Sequence, residues 1–246
     1  MRVQLFVTCL VDLVYPDVGE RTVALLERLG CEVEFAADQT CCGQPAYNAG
    51  HHDAARSVAE HLVATFGATE GPIVAPFGSC AHMTRHAVPG LVGDGAAARA
   101  VAERVVDLPS FVVDRLGHAQ VGGRYPSGDG ATDVPVAYHD ECHMRRGLGV
   151  VDAPRSLLGG VSGVTLVDME RGDLCCGFGG TFALKEPAAS AAMADEKLDR
   201  AVAAGARAIV STDPGCLMQL DGRARRRGLD MRVLHLVDLL EPEGSL

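Results

Sequence analysis

The sequence predicts an α/β fold built from two similar halves with mainly parallel sheets, related by an internal pseudo-two-fold repeat. Two observations predict this class. A Cys-Cys-Gly tripeptide occurs twice, at 41–43 and at 175–177, in similar surroundings. Short apolar segments with strand character also alternate with helical patterns, in the same order in both halves. We therefore expect one supersecondary plan to be used twice.

The cysteines carry the repeat. Eight of the nine fall into two sets of four, whose corresponding members lie 133, 134, 134 and 136 residues apart. The ninth, Cys31, alternates with Val33 and Phe35 and is expected to be a buried apolar residue rather than a ligand. We call the sets the first and the second quartet: Cys9, Cys41, Cys42 and Cys80, and Cys142, Cys175, Cys176 and Cys216.

The first half begins with a β-α-β pattern, which is typical of parallel strands because these need a crossover. Its three cysteine sites are expected in loops that follow strands, at the edge where open α/β sheets bind ligands. The predicted elements are strands at 3–7, 31–35 and 73–75, helices at 18–29, 53–66 and 96–106, and a short closing segment from 108.

A stretch with five glycines and two prolines, 117–135, indicates an exposed connection before the pattern starts again. We therefore predict a first cysteine-rich half at 1–120, a second at 134–246, and a connecting loop at 121–133. The predicted elements of the second half are strands at 134–138, 164–167 and 208–210, helices at 153–158 and 188–204, and a closing segment at 233–240.

Four cysteines per half point to metal chemistry, since iron–sulfur clusters are commonly held by four thiolates. Adjacent strand side chains point in opposite directions, so Cys41 and Cys42 can share one centre only if the chain turns sharply. The glycine that follows permits such a turn. In the second half Gly177, Gly179 and Gly180 also allow backbone N–H groups to approach the sulfur atoms. We expect one or two clusters, of the [4Fe-4S] type, and an electron-transfer role.

Two other classes of protein stay open. Four thiolates also make a structural zinc site, although zinc sites usually draw ligands from close Cys-x-x-Cys pairs. A thiol–disulfide reductase could use the adjacent cysteines as a redox pair, although these form only a strained ring. His139, Asp140 and His143 flank Cys142. A histidine there is either a donor to a thiolate or a simple loop residue.

Composition narrows the function classes. The net charge is −10, which argues against nucleic acid and anionic membrane surfaces as partners. The sequence contains no run of eighteen apolar residues, the length expected of a membrane-spanning helix. The first residues do not resemble a signal peptide. The expected location is the cytoplasm, where nine cysteines favour metal binding or redox work over structural disulfides.

These residues resemble a known family, the lactate utilization protein A family of cysteine-rich iron–sulfur proteins. Its CCG domain also occurs in the iron–sulfur subunit of glycolate oxidase and in one of the subunits of heterodisulfide reductase. The matching segments are 15–19 (YPDVG), 39–46 (QTCCGQPA), 78–80 (GSC), 138–140 (YHD), 142–143 (CH), 175–182 (CCGFGGTF) and 213–218 (DPGCLM).

The resemblance implies an electron-transfer subunit that works with an iron–sulfur protein and a third subunit to oxidise L-lactate to pyruvate. An oxidase of glycolate or of another 2-hydroxy acid is the alternative within the same class. One feature departs from the heterodisulfide reductase form, which ends in Cys-x-x-Cys. Neither Cys80 nor Cys216 has another cysteine at that distance.

Overall fold

The computed structural model describes residues 1–93, 95–126 and 133–241. The chain divides into two compact units, Met1–Phe111 and Val112–Leu246. Residues 127–132 of the predicted connecting loop lie outside the described residues. In the part that is described, Arg124 donates its backbone N–H to the carbonyl of Leu239, and Tyr125 donates to that of Ser162. This part of the predicted loop is therefore bonded to the second unit.

The first unit contains a four-stranded parallel sheet with the strand order β2-β1-β3-β4. Its strands are β1 (Arg2–Leu5), β2 (Glu32–Phe35), β3 (Ile73–Ala75) and β4 (Val105–Asp107). Its helices are α1 (Cys9–Val14), α2 (Pro16–Arg28), α3 (Gln44–Asn48), α4 (His52–Gly67), α5 (Gly78–His86), α6 (Val88–Leu91), α7 (Ala96–Arg104) and α8 (Leu108–Ser110).

The second unit repeats this arrangement, with a parallel sheet in the order β6-β5-β7-β8. A π-helical turn, Phe111–Arg115, spans the boundary between the units, and a second one occupies His143–Leu148. The strands are β5 (Val134–Tyr138), β6 (Val164–Leu166), β7 (Ala208–Ser211) and β8 (Arg232–His235). The helices are α9 (Asp152–Leu158), α10 (Thr181–Lys185), α11 (Pro187–Ala203), α12 (Pro214–Arg226) and α13 (Leu236–Leu240).

The predicted fold class, two similar α/β halves with parallel sheets, is confirmed. The central strands β3 and β7 are buried along their whole length, as expected for parallel strands covered on both faces. Helix α4 buries one stripe, Ala55, Ala59, Leu62 and Phe66, at the spacing of a single helix face. The apolar stripe, more than helix propensity, holds α4 against the sheet.

Backbone hydrogen bonds establish which residues correspond between the halves. The N–H of Phe6 donates to the carbonyl of Val74 at 2.9 Å, and the N–H of His139 donates to that of Val210 at 2.8 Å. Each bond joins the residue after the first strand of its half to the neighbouring central strand. His139 therefore occupies in the second half the position that Phe6 occupies in the first.

Three local predictions were wrong. Cys80 and Cys216 lie in the first turns of helices α5 and α12 rather than in loops. The predicted helix 96–106 ends at Arg104, and Val105–Asp107 forms β4 instead. Phe35, expected on the buried face of its strand, is 58% exposed because β2 is the edge strand of its sheet. Among the described residues, no helix combines the length and the apolar character needed to cross a membrane.

Candidate metal centres

Sheet topology explains how cysteines far apart in sequence meet. In the first half the strands β2, β1 and β3 are neighbours, and each is followed by a segment that carries cysteine. Parallel strands end at the same edge of a sheet, so these segments converge beyond their carboxyl ends. The second half repeats this with β6, β5 and β7, which precede Cys175 and Cys176, Cys142, and Cys216.

The structure brings the first quartet together. The Sγ atoms of Cys9 and Cys41 are 3.5 Å apart, and those of Cys42 and Cys80 are 3.2 Å apart. A side-chain hydrogen bond between Cys41 and Cys42 joins the two pairs into one group. Cys42 and Cys80 are buried, whereas Cys9 and Cys41 are half-buried, so the group has a dry side and a side near solvent.

The second quartet has the same arrangement. The Sγ atoms of Cys176 and Cys216 are 2.9 Å apart and buried. Cys142 and Cys175 share a side-chain hydrogen bond, as do Cys175 and Cys176. All eight cysteines singled out from the sequence therefore lie in two groups of four. Cys31 lies outside both, 7% exposed, in the core of the first unit.

The glycine after each cysteine pair makes the turn that lets both thiols face one group. Gly43 and Gly177 both have φ of +84°, a left-handed conformation that residues with a Cβ rarely adopt. A Cβ on Gly177 would lie 2.5 Å from the backbone oxygen of Ser190, and one on Gly43 would lie 3.3 Å from that of Ala55. The sequence-based prediction of a sharp turn at these positions is confirmed.

Backbone N–H groups in these turns donate to sulfur. Gly43 donates to Cys41 Sγ, and Gly177 donates to Cys175 Sγ, each at 3.4 Å. The second half adds a donor, since the N–H of Phe178 lies 3.4 Å from Cys176 Sγ. Such donors stabilise negative charge on sulfur, whether it belongs to a thiolate or to a metal–thiolate bond.

Each quartet concentrates its negative charge on one thiol. Hydrogen bonds from Cys42 and Cys9 lower the pKa of Cys41 to about 3, and bonds from Cys142 and Cys176 lower that of Cys175 to about 2. Neighbouring thiols cannot all ionise together, so the pKa values of Cys9 and Cys142 are raised, first by their hydrogen bonds to these thiolates and then by burial. Metal binding by all four members would therefore release protons.

Behind the sulfur atoms the second half is polar. His139 is completely buried, and among the described residues neither of its ring nitrogens has a hydrogen-bond partner. Lys197, also fully buried, donates from Nζ to the carbonyl of Gly172 at 2.5 Å. Burial lowers the pKa of Lys197 to about 8, against the opposing effects of Asp140 and the nearby cysteines. Burial and the charge of Lys197 likewise hold the pKa of His139 well below its ordinary value.

The first half is apolar at the corresponding positions. Phe6 stands where the second half has His139, and its ring packs edge-to-face on Phe66 with a centroid distance of 5.2 Å. Gly43 faces Ala55 of helix α4, and Gly177 faces Ser190 of helix α11, so Ala55 and Ser190 occupy corresponding positions in the two halves. Counted from these contacts, Leu62 corresponds to Lys197, and both side chains are buried.

An ion-pair network fixes the loop between His139 and Cys142. Asp140 is 4% exposed and accepts from Arg155 at 2.7 Å and from Arg145 at 3.1 Å. The guanidinium of Arg155 also stacks over Tyr138, 5.2 Å from the ring centroid. A buried carboxylate with two charge-assisted partners holds its backbone rigidly, so the flanking His139 and Cys142 are kept in place.

Sequence reasoning missed part of this site. It left His139 undecided between donor and loop residue, and it did not single out Lys197. A signal for Lys197 was present, because a lysine stands in the apolar stripe that α11 shares with α4. The first-turn positions of Cys80 and Cys216 were also missed. Glycines in Gly-Ser-Cys and Pro-Gly-Cys obscure the start of each helix.

The donor set fits an iron–sulfur group. Each quartet supplies four sulfur donors with backbone N–H groups directed at them, the usual environment of such clusters. In the second half a metal centre would also give the buried imidazole of His139 a partner. A thiolate-bound zinc ion would fit the sulfur atoms as well.

Two repeats of one α/β unit, each with a Cys-Cys-Gly turn and four convergent thiols, define a protein of the cysteine-rich class. A family model described as "CCG: Cysteine-rich domain" matches residues 3–85 and 136–221, which covers the site-bearing part of both halves. The chain belongs more narrowly to the lactate utilization protein A family, as its relatives show.

A protein of Exiguobacterium sp. named "Lactate utilization protein A" is 43% identical, over 97% of this chain and 96% of its own length. One from Macrococcus caseolyticus with the same name is 44% identical, over 98% and 96%. "Lactate utilization protein A 1" of Bacillus cereus is 43% identical, over 98% of both chains. A solved structure, the TorS sensor domain–TorT complex, matches with a TM-score of 0.23 and 11% identity over 94% of this chain and 88% of that one, too low to support any argument.

Proposed function

We propose that the chain is an iron–sulfur electron-transfer subunit of a cytoplasmic, multi-protein system that oxidises L-lactate to pyruvate. The relatives supply the substrate, since their names state lactate utilization. The two cysteine quartets of this chain support the electron-transfer role. The iron–sulfur protein and the third subunit expected from the family resemblance would be its partners.

The observation that carries the proposal is the convergence of each quartet at the carboxyl edge of its sheet. The Sγ atoms of Cys9 and Cys41, of Cys42 and Cys80, and of Cys176 and Cys216 are 2.9–3.5 Å apart. Free thiols serving only as apolar residues would have no reason to gather four at a time in both halves. Both groups also have half-buried members, Cys9, Cys41, Cys142 and Cys175, through which an electron could enter or leave.

The stoichiometry of the reaction suits two centres. Oxidation of L-lactate to pyruvate breaks the C2–H and O–H bonds and releases two electrons and two protons. An iron–sulfur cluster accepts one electron at a time, so one cluster in each half would hold the pair released by one turnover. The electrons would then pass to the partner subunits.

Anaerobic purification followed by iron, sulfide and zinc analysis tests the cofactor. We expect a brown protein that contains iron and acid-labile sulfide in equal amounts. A colourless protein with stoichiometric zinc would overturn the redox role. A metal-free protein that resists reconstitution with iron and sulfide would do the same.

Growth experiments test the substrate. A strain that lacks this chain should fail to grow on L-lactate as sole carbon source but grow normally on glucose. Reintroduction of the wild-type chain should restore growth, and the Cys176→Ser variant should not. Loss of growth on glycolate with normal growth on L-lactate would instead assign the chain to the alternative, an oxidase of another 2-hydroxy acid.

One observation favours thiol–disulfide reduction as the second candidate. Cys41 is a half-buried thiolate with the thiol of Cys9 3.5 Å away, and Cys175 is a half-buried thiolate with a side-chain hydrogen bond to Cys142. A thiolate beside a second thiol can attack a disulfide and then be resolved by its neighbour. A metal-free protein that reduces a model disulfide, and loses this activity in Cys41→Ser and Cys175→Ser, would favour this function.

A further inference from the structure

The side chain of His139 has no evident purpose in the protein alone. It is 0% exposed at the end of β5, and among the described residues neither Nδ1 nor Nε2 has a hydrogen-bond partner. Buried polar groups in folded proteins are almost always paired, and an orphan calls for an explanation such as an ion that binds there. Bulk water cannot be that partner, because the ring is completely buried inside the second unit.

The ring is directed at the second quartet. One nitrogen of His139 and the Sγ atoms of Cys176 and Cys216 all lie within 4.8 Å of one another, and all three residues are buried. Metal–nitrogen and metal–sulfur bonds are about 2.0–2.3 Å long, so a metal atom between this nitrogen and one of the two sulfur atoms would reach both after small shifts. A neutral imidazole is a common metal ligand, and the closed environment of His139 favours that form.

The first half provides an internal control. At the corresponding position Phe6 makes the same backbone hydrogen bond to the adjacent strand, but its ring packs on Phe66 and has no donor atom. The cysteines and the turn glycines are otherwise the same in both halves. The difference therefore concerns what surrounds the sulfur atoms, not how they are gathered.

We propose that His139 is a ligand of the metal centre of the second half, together with cysteines of the second quartet. The first half then holds an all-sulfur centre, and the second a mixed nitrogen–sulfur centre. This rests on the proposed iron–sulfur function and puts histidine in place of one of its thiolate ligands. That exchange makes a cluster less negative and raises its reduction potential, so electrons would collect at the second centre.

Pulsed EPR on the full chain tests the ligand. The Cys42→Ser variant, expected to lack the first centre, is reconstituted anaerobically with iron and sulfide after growth with either [14N]histidine or [15N]histidine. We expect a nitrogen coupling of the size of a directly bonded ligand, which changes with the isotope. It should disappear in Cys42→Ser/His139→Phe and persist in Cys42→Ser/His143→Gln. His143 is the matched control, since its Nδ1 lies 3.7 Å from Cys142 Sγ.

The outcomes separate this proposal from the function on which it rests. A cluster without isotope-sensitive coupling, or with only the weak coupling of a hydrogen-bonded nitrogen, overturns the ligand and leaves the iron–sulfur function standing. Coupling that survives in the His139→Phe variant, or is lost in the His143→Gln variant, also overturns it. A protein that takes up no cluster overturns both. If His139→Phe does not fold, the isotope comparison in Cys42→Ser still tests for a histidine ligand, and the same comparison in Cys42→Ser/His143→Gln tests whether that ligand is His143.

Discussion

At corresponding positions next to the cysteines, the first half has an aromatic and an aliphatic side chain, whereas the second half has an imidazole and an ammonium group. Phe6 is matched by His139, and Leu62 by Lys197, although all four side chains are buried. The larger Phe66, which fills the space behind Phe6, is matched by the small Ala201. The sheet order and the glycine turns are the same in both halves.

Two functions are therefore separable in this fold: gathering the thiols and setting their surroundings. The topology and the glycine turns gather four thiols, and they do so in both halves. The side chains behind the thiols determine polarity and charge, and these have diverged. An apolar lining leaves a negative centre without a compensating charge, whereas Lys197 supplies one in the second half. We therefore expect two centres with different redox properties in one chain.

Removal of one buried cysteine from each half should have the largest effect. Cys42→Ser and Cys176→Ser each take away a sulfur donor that the other residues of the quartet cannot replace. We expect each variant to lose about half of the bound iron and sulfide, and the double variant to lose nearly all of it. Iron and sulfide analysis after anaerobic purification measures this, with Cys31→Ser as the control that keeps full content. Full iron content in Cys176→Ser would refute the assignment of the second quartet.

Truncation of Phe66 should reveal how far the first half depends on its apolar lining. Phe66→Ala opens a cavity behind the ring of Phe6, and we expect the free energy of unfolding of the first unit to fall by about 3–5 kcal/mol. The matched change in the second half, Ala201→Gly, should cost only about 1 kcal/mol, since it mainly lowers helix propensity. Chemical denaturation monitored separately for each unit gives both values. Equal losses would mean that the two linings do not differ in packing.

The two turn glycines should tolerate a methyl group unequally. Gly43→Ala places a residue with a Cβ in a left-handed conformation, at a cost of about 1–2 kcal/mol. Gly177→Ala adds a clash, because its Cβ would lie 2.5 Å from the oxygen of Ser190 and cannot be accommodated without a backbone shift. We expect about 2–4 kcal/mol in that case. Thermal unfolding of the metal-free variants ranks them, and a larger loss for Gly43→Ala would contradict the geometry.

The elements that could be predicted from sequence are those whose apolar pattern is complete. Strands β3 and β5 were predicted with the bounds that the structure shows, and helices α4 and α11 within one residue. The convergence of the quartets also followed from topology. Cysteines that come after neighbouring parallel strands must lie at one edge of the sheet.

What could not be predicted depends on tertiary packing. The exposure of Phe35 follows from the edge position of β2, which no local pattern reveals. The helical first turns around Cys80 and Cys216 were hidden by glycine. The roles of His139 and Lys197 depend on their complete burial close to cysteines of the second quartet, which no local pattern reveals. A lysine in an apolar stripe can bury its aliphatic part and keep its ammonium group in water, or it can bury the ammonium group as well. The sequence pattern is the same in both cases.

Substitution of Lys197 by leucine, the residue at the matching position, should have the smallest effect and the opposite sign. Burial lowers the pKa of Lys197 to about 8 from an ordinary 10.5, so the charged form destabilises the metal-free fold by up to about 3 kcal/mol. The lost hydrogen bond to Gly172 offsets part of this, and we expect Lys197→Leu to stabilise the protein by about 1–2 kcal/mol at pH 7.

The pH dependence identifies the cause. The pKa of Lys197 is lower in the folded state than in the unfolded one, so unfolding takes up a proton between about pH 8 and 10.5. Wild-type stability should therefore rise through that range, and the gain from Lys197→Leu should shrink as pH rises. Urea unfolding of the metal-free chains at pH 7, 8.5 and 10 measures this, with Leu62→Met in the first half as a control without pH dependence. A gain that stays constant with pH would mean that packing, and not the buried charge, separates the two halves at this position.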